Sequence, residues 1–177
     1  ELVARSISGL REVGVTGINV DLIYGLPLQT VSSLTDTIKT CIEMAPDRVA
    51  LFGYAHVPWM AKKQRLIDES NLPDAAERAR QAEAAAEALV DGGYEAIGLD
   101  HFALPEDPLA HAAREGRLHR NFQGYTVDRA ETLIGLGVTS IGRTPFGYVQ
   151  NHSGAGPYER AIDAGLLPVF KGITLDD

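Results

Sequence analysis

The feature that most constrains this chain is a repeated change in hydrophobic spacing along its first hundred residues. In the segment GINVDLIYG, residues 17–25, apolar side chains recur at every second position, which is the spacing of a β-strand. After Pro27 they recur every three or four positions as far as Pro46, and Thr30 or Ser32 is placed to cap the first turn. This stretch therefore predicts an amphipathic helix that follows the strand directly.

The same two elements then repeat. The run RVALFGYAHVP is almost wholly apolar, as expected for a strand that is covered on both faces. An alanine-rich helical pattern follows from about Pro73 to Gly93, and YEAIGLDHFAL is predicted to form a third strand. Strand, helix, strand, helix and strand in this order predict an α/β fold with a parallel sheet, either doubly wound or part of a barrel.

Periodicity weakens beyond Pro105. We expect a short helix around PLAHAAREG, a helical turn near residues 130–136 and a short strand at GVTSIG. The segment GYVQNHSGAGP matches no phosphate-binding loop and is interpreted as a surface loop. The final third is thus predicted to be rich in loops.

Charge excludes two classes of partner. The chain has 24 acidic and 16 basic residues, a net charge of −8, and no basic run that would attract nucleic acid or anionic lipid. No apolar stretch approaches the roughly 18 residues of a membrane span, and no basic-then-apolar leader opens the sequence. We expect a cytoplasmic protein with no nucleic-acid partner and no membrane span.

A single cysteine, Cys41, limits the metal chemistry of the chain. One cysteine cannot form an internal disulfide or an iron–sulfur site built from this chain alone. Because Cys41 falls on the apolar stripe of the first predicted helix, we interpret it as a core residue and not as a ligand or nucleophile. No metal ligand is therefore predicted in this sequence.

Polar residues at the predicted strand ends are the first candidates for a site, since ligands of parallel α/β sheets gather there. Asp21 lies among apolar residues, so we expect a buried carboxylate that meets either a ligand or an internal donor. His56 and His101 could share a metal, but without a third ligand nearby, histidines satisfied by hydrogen bonds are favoured. Asp100 and His101 are adjacent strand residues, so their side chains are not expected to meet.

The octapeptide HRNFQGYT, residues 119–126, is the second candidate. Phe122 could stack on a flat ring, Gln123 could hydrogen-bond to the edge of that ring, and His119 with Arg120 could face carboxylates. The alternative is a loop that folds its own aromatic side chains inward. The residues alone predict a pocket for a flat ligand and name no reaction.

Several motifs in this order resemble one family. NVDLIYGLPLQT, FGYAHVP, GLDHFALPEDPLAHAAREGRLHRNFQGYT and LIGLGVTSIG are similar to the middle portion of oxygen-independent coproporphyrinogen III oxidases, radical S-adenosylmethionine enzymes of haem biosynthesis. The resemblance spans nearly all 177 residues and implies a fragment of a longer protein. It also implies a parallel (β/α) partial barrel, the C-terminal half of a radical S-adenosylmethionine barrel, over residues 1–172. Residues 173–177 would then begin a C-terminal helical domain.

The same resemblance implies cofactors and site residues. A [4Fe–4S] cluster would be held by a CxxxCxxC motif in the missing N-terminal part, together with a first S-adenosylmethionine that Asp21 and Ala55 help to line. Phe122, Gln123 and Ile141 would contact a second S-adenosylmethionine. The resemblance assigns no general acid or base to this chain, so its catalytic residues are unknown.

The implied reaction is the oxidative decarboxylation of two propionates of coproporphyrinogen III to vinyl groups, which gives protoporphyrinogen IX. A reducing partner such as a flavodoxin-type protein would donate electrons, and the isolated fragment would be inactive. Arg143, Arg120 and His119 are candidates either to face the substrate propionates or to serve the fold.

Two alternatives remain open. A haem-binding trafficking protein of the same superfamily shares the DLIYGLPxQT motif, although the octapeptide counts against it. A non-catalytic scaffold is the other, since an open half-barrel must cover its exposed strand edges.

Overall fold

The computed structural model describes residues 1–122 and 124–175, and the chain divides into two compact units, Glu1–Leu118 and His119–Asp177. None of the helices in these described ranges is long and apolar enough to cross a membrane.

The first unit is a mixed α/β structure. Its strands form one four-stranded sheet in the order β1-β2-β4-β3, and two short 3₁₀ helices, Lys62–Leu66 and Glu69–Asn71, lie between β2 and α3. The elements are α1 (Leu2–Glu12), β1 (Asn19–Tyr24), α2 (Val31–Glu43), β2 (Arg48–Gly53), α3 (Ala75–Asp91), β3 (Glu95–Ala96), β4 (His101–Ala103) and α4 (Pro108–Arg114).

The first two strands and their helices agree with the sequence prediction. β1 and β2 are parallel, with Asp21 opposite Ala50. The N-terminus of α2 is held by a capping box, in which Thr30 Oγ1 accepts a hydrogen bond from the Ser33 backbone N–H at 3.2 Å. Asp74 caps α3 with its carboxylate alone, accepting from the Glu77 N–H at 2.7 Å.

The prediction of a third parallel strand is wrong. Residues 94–104 do not form one parallel strand but two short ones, β3 and β4, which are antiparallel to each other, and β4 is antiparallel to β2. The chain bends between them at residues 97–100, where Gly98 has a φ of 153°, a backbone conformation that few L side chains adopt. The parallel partial barrel is consequently not confirmed by these sheets.

The core lies between α2, α3 and one face of the sheet. Cys41 is 2% exposed within it, so its prediction as a core residue is confirmed. Burial raises the pKa of the Cys41 thiol, which keeps it protonated and a poor nucleophile. The cluster consists of Leu34, Ile38, Cys41, Val49, Leu51, Ala85, Leu89, Tyr94 and Phe102.

The second unit consists of a hairpin, a three-stranded antiparallel sheet in the order β7-β8-β9 and one helix. The prediction of a surface loop at GYVQNHSGAGP is wrong, because Gly147–Asn151 is the central strand of that sheet and the helix begins at Ala155. The elements are β5 (His119–Asn121), β6 (Gly124–Thr126), β7 (Ile141–Thr144), β8 (Gly147–Asn151), α5 (Ala155–Asp163) and β9 (Val169–Thr174).

Two other predictions for this unit also differ from the structure. Residues 130–136 do not form a helical turn, and Leu133 instead makes an isolated antiparallel bridge with Arg143. The short strand predicted at GVTSIG begins later, at Ile141. β9 runs to Thr174 and residues 176–177 lie outside the described part of the chain, so the proposed division at residue 172 stays a prediction.

Candidate functional site

In the first unit, the carboxyl ends of β1 and β2 lie side by side, as parallel pairing requires. The Tyr54 backbone N–H donates to the Tyr24 carbonyl at 2.7 Å just beyond the last ladder pair. Gly25 follows with a φ of 82°, a left-handed conformation that suits glycine. This edge presents Tyr24 and Tyr54 together with their following loops.

Asp21 does not have the environment that its neighbours predicted. The residue is exposed, not buried, and its Oδ1 accepts a hydrogen bond from Asn19 Nδ2 at 2.6 Å. The reason is the pleat: Val20 and Leu22 face the core helices, whereas Asn19 and Asp21 lie on the opposite face of the sheet, at its edge strand β1. Asp21 is thus an accessible carboxylate at the edge of the sheet.

Ala55 lies two residues beyond β2 and is exposed. Its carbonyl accepts from Gln64 Nε2 at 3.0 Å, and Gln64 Oε1 accepts from the Val57 N–H at 2.6 Å. Gln64 therefore ties the loop after β2 to the first 3₁₀ helix, so the backbone at Ala55 is fixed and its methyl group is open to solvent.

The histidines at the strand ends are held by hydrogen bonds. His56 Nδ1 lies 3.2 Å from the Tyr54 hydroxyl and its Nε2 lies 3.1 Å from Glu69 Oε1, which agrees with the favoured interpretation. His101 Nδ1 lies 2.6 Å from Asp100 Oδ1. The expectation that these two side chains would not meet is wrong, because Asp100 precedes β4 and lies in the bend, so strict strand alternation does not apply to it.

Two residues of α3 were missed by sequence reasoning. Gln81 is fully buried; its Oε1 accepts from the Gly25 N–H at 2.9 Å and its Nε2 donates to the Gln29 carbonyl at 2.7 Å. The Arg78 guanidinium lies 5.9 Å from the centre of the Tyr24 ring. The signal was a Gln at a position that faces the core in an otherwise alanine-rich helix, since a buried amide requires partners.

In the second unit, residues 119–121 and 124–126 of the octapeptide pair as the two antiparallel strands of a hairpin, with His119 opposite Thr126 and Arg120 opposite Tyr125. The Arg120 guanidinium lies 5.5 Å from the centre of the Tyr125 ring. Gln123 lies outside the described residues, so its predicted cofactor contact stays a prediction. Phe122 is 60% exposed, which contradicts the alternative of a loop that buries its own aromatic side chains.

Phe122 lies against the three-stranded sheet. Its ring centre is 5.1 Å from that of Tyr148 in an edge-to-face arrangement. Phe122, Tyr148 and Ile141 together line two adjoining grooves, one of about 720 Å³ and one of about 440 Å³. The structure therefore brings two of the predicted site residues, Phe122 and Ile141, to one surface, and Tyr148 is a third that the sequence did not single out.

The larger groove carries charge as well as aromatic surface. Its lining includes Arg120, Arg129 and Arg143 together with the acidic residues Asp128 and Glu131. Asp128 is partly satisfied, since its Oδ1 accepts from the Ala130 N–H at 2.8 Å. The volume is within the range of organic-ligand sites, about 300–1,000 Å³.

The loop that precedes β7 is held by a buried amide. Asn151 is 6% exposed, and its Nδ2 donates to the carbonyls of Gly135 and Gly137 at 3.0 and 2.9 Å. Across residues 1–122 and 124–175, no group of three or more His, Cys, Asp or Glu side chains is arranged to hold a metal ion.

Comparison with known proteins gives one consistent answer. No protein-family model matches the chain. It is 51% identical over 171 residues to the oxygen-independent coproporphyrinogen III oxidase of Cereibacter sphaeroides, covering 97% of this chain and 38% of that protein. The oxidase of the same name from Bradyrhizobium diazoefficiens is 51% identical over all 177 residues, and the one from Helicobacter pylori is 43% identical over 175.

A solved structure agrees with these relatives. Coproporphyrinogen III oxidase from Escherichia coli, described as a radical SAM enzyme, superimposes with a TM-score of 0.90 at 40% identity, covering 98% of this chain and 40% of that protein. The resemblance stated from the motifs is therefore confirmed in sequence and in fold. The chain spans about two fifths of the length of the relatives it matches.

Proposed function

We propose that this chain is a portion of an oxygen-independent coproporphyrinogen III oxidase, which converts two propionates of coproporphyrinogen III to vinyl groups by oxidative decarboxylation. The observation that carries the proposal is the 51% identity to relatives of that name across 97–100% of the chain. The TM-score of 0.90 to the Escherichia coli enzyme supports it independently. A haem-trafficking protein is not favoured, because the relatives reported above are named as oxidases.

The proposal includes the place of the chain in the longer fold. β1, α2, β2 and α3 form two successive strand–helix units with parallel strands, which supports the interpretation that residues 1–172 belong to the later half of a parallel barrel. Residues 173–177 would then lead into the helical domain.

The residues present fit S-adenosylmethionine better than they fit a cluster. Phe122, Ile141 and Tyr148 offer aromatic and aliphatic surface to an adenine ring, and Asp21 offers an exposed carboxylate to a polar group of the cofactor at a separate site. Bound S-adenosylmethionine supplies the radical chemistry in such enzymes. The [4Fe–4S] cluster would be held by residues outside this chain, since Cys41 is buried in the core.

This chain's own role would be to position ligands and exclude water. Phe122 and Ile141 would orient the second cofactor, with Gln123 at its edge, and Ala55 with Asp21 would line the first. Coproporphyrinogen III is the proposed substrate, and an electron donor of flavodoxin type and a cytoplasmic location are part of the same proposal.

Substitution of Phe122 and of Gln123 tests the proposal. In the full-length protein, Phe122→Ala and Gln123→Ala should each lower the rate of protoporphyrinogen formation by about tenfold or more, because an aromatic or amide contact to the cofactor is lost. The product is measured by porphyrin fluorescence after oxidation. Phe146→Ala is the matched control, since Phe146 is 79% exposed and lines neither groove.

Unchanged turnover in both hairpin variants would remove the cofactor role of this hairpin. A wild-type protein that forms no protoporphyrinogen from coproporphyrinogen III, when supplied with a reductant and S-adenosylmethionine, would overturn the proposed function itself.

A further inference from the structure

Basic residues are unevenly placed in the second unit. Residues 119–177 contain five Lys or Arg side chains, at 120, 129, 143, 160 and 171. All except Arg160 line one of the two grooves, although the chain as a whole has a net charge of −8. Positive charge in this unit is concentrated where the aromatic surface is.

Strand register places two of these cations on the same face of the sheet. Arg143 is opposite Tyr148, which is opposite Ile173, and the neighbouring row runs from Ile141 through Gln150 to Lys171. Residues directly opposite in an antiparallel ladder share a face, and so do residues two apart in one strand. All six side chains therefore project from one face, and we call this face the platform.

The platform has an apolar middle and a cation on each side. Arg143 is on β7 and Lys171 is on β9, with β8 between them, so their strands are roughly 10 Å apart. Tyr148, Ile141 and Ile173 lie between or beside the cations, and Phe122 contacts Tyr148 from the hairpin. Neither Arg143 nor Lys171 forms an ion pair with any residue of the described ranges.

We infer that the platform recognises carboxylates of an apolar ligand, with Arg143 and Lys171 holding acid groups on opposite sides of a body that lies across Tyr148. The inference rests on the proposed function, because two separated carboxylates on a large apolar frame describe a tetrapyrrole with propionates. Arginine pairs with a carboxylate through two parallel hydrogen bonds, and lysine adds a point charge. S-adenosylmethionine carries only one carboxylate, on its methionyl part, so it would engage one of the two cations and not both.

Binding without turnover tests the platform. The full-length protein is titrated with coproporphyrin III, which carries free carboxylates, and with its tetramethyl ester, which does not, while the anisotropy of porphyrin fluorescence is followed. Wild type should prefer the acid. Arg143→Gln and Lys171→Gln should each reduce that preference by about tenfold, since each removes one charge-assisted contact.

Three comparisons make the result interpretable. Arg160→Gln removes the fifth basic residue of the unit, on α5 and outside both grooves, and should leave the preference unchanged. Arg143→Lys keeps the charge but loses the paired hydrogen bonds, so it should retain more of the acid preference than Arg143→Gln does and less than wild type. Equilibrium dialysis with S-adenosylmethionine forms the second arm: weaker cofactor binding with an unchanged porphyrin preference would contradict a two-carboxylate ligand and would assign the affected cation to the single carboxylate of the cofactor.

The platform is overturned if natively folded Arg143→Gln and Lys171→Gln proteins bind both ligands as wild type does. That outcome is distinct from failure of the proposed function, which shows as absence of protoporphyrinogen formation by the wild type. An acid preference in a wild-type protein without that activity would support the platform alone.

Discussion

The two units of this chain bury apolar surface to very different extents. Seventeen hydrophobic residues are buried in the described part of the molecule, and all of them lie between Ile7 and Ala112, in the first unit. In the second unit, β9 is exposed along its whole length, and Phe146, Phe170 and Ile173 are 79%, 66% and 65% exposed. The first unit has a core, whereas the second presents its aromatic and aliphatic side chains.

The difference indicates which forces hold each unit. The first is stabilised by helices that cover one sheet face, so its stability depends on packed side chains. The second depends on backbone ladders and on a few polar side chains such as Asn151. Exposed apolar patches of this kind mark binding surfaces, which is consistent with grooves that take ligands.

The largest effect should come from the core of the first unit. Ile38 is fully buried, so Ile38→Ala should lower the free energy of unfolding by about 2–5 kcal/mol through lost burial and a residual cavity. Val149→Ala is the matched change in the second unit, where Val149 is 37% exposed, and should cost less than about 1 kcal/mol. Urea denaturation followed by circular dichroism measures both changes. Equal losses of unfolding free energy would contradict the claim that only the first unit depends on a packed core.

A smaller effect should come from the buried amide of α3. Gln81→Leu leaves the Gly25 N–H and the Gln29 carbonyl without their partners, which should cost about 1–3 kcal/mol. Glu87→Ala, on an exposed face of the same helix, is the control and should cost little. If Gln81→Leu is as stable as wild type, packing alone fixes the loop after β1.

The free energy of unfolding should depend on alkaline pH through Tyr94. This residue is 3% exposed, and its hydroxyl donates to the Pro46 carbonyl at 2.7 Å. Burial, with a smaller contribution from the nearby Cys41 and Asp47, raises the pKa of Tyr94 to about 12 from an unperturbed value of 10. Between these values the folded state binds the proton that the unfolded state has lost, so stability present below pH 10 decreases as pH rises. The expected decrease is about 1 kcal/mol per pH unit.

Denaturation at pH 10 and 11 measures that decrease in the wild type and in Tyr94→Phe, which lacks the titrating group. The variant should show a shallower dependence on pH, with the remaining slope due to groups such as Cys41. Identical slopes in the two proteins would contradict the assignment of the effect to Tyr94.

The sequence predicted the first unit better than the second, and the reason is physical. Strict alternation over Val20–Tyr24 and the three-to-four spacing of Leu34, Ile38 and Cys41 report a face that packs into or against the core, so β1 and α2 were predicted correctly. Periodicity failed where burial is weak: in β8, GYVQN, only the terminal Gly147 and Asn151 are buried, and β9 has no buried side chain to create a pattern.

The candidate site shows the same division. Motif resemblance singled out Phe122 and Ile141, which the fold brings to one surface, but no local pattern predicted that Tyr148 would lie beside them. Their proximity depends on strand pairing between distant segments. Asp21 was predicted to be buried because its neighbours in the sequence are apolar. The sequence does not show which face of the sheet the core helices cover, and Asp21 lies on the other face.

Hydrogen–deuterium exchange of the full-length protein, with and without S-adenosylmethionine and coproporphyrin III, tests most directly whether the second unit is a ligand surface. The account predicts that amides of β5, β7 and β8 exchange at least about tenfold more slowly when ligand is bound, while those of α2 and α3, already protected by the core, change less. Unaltered exchange in those three strands with both ligands at saturation would contradict it.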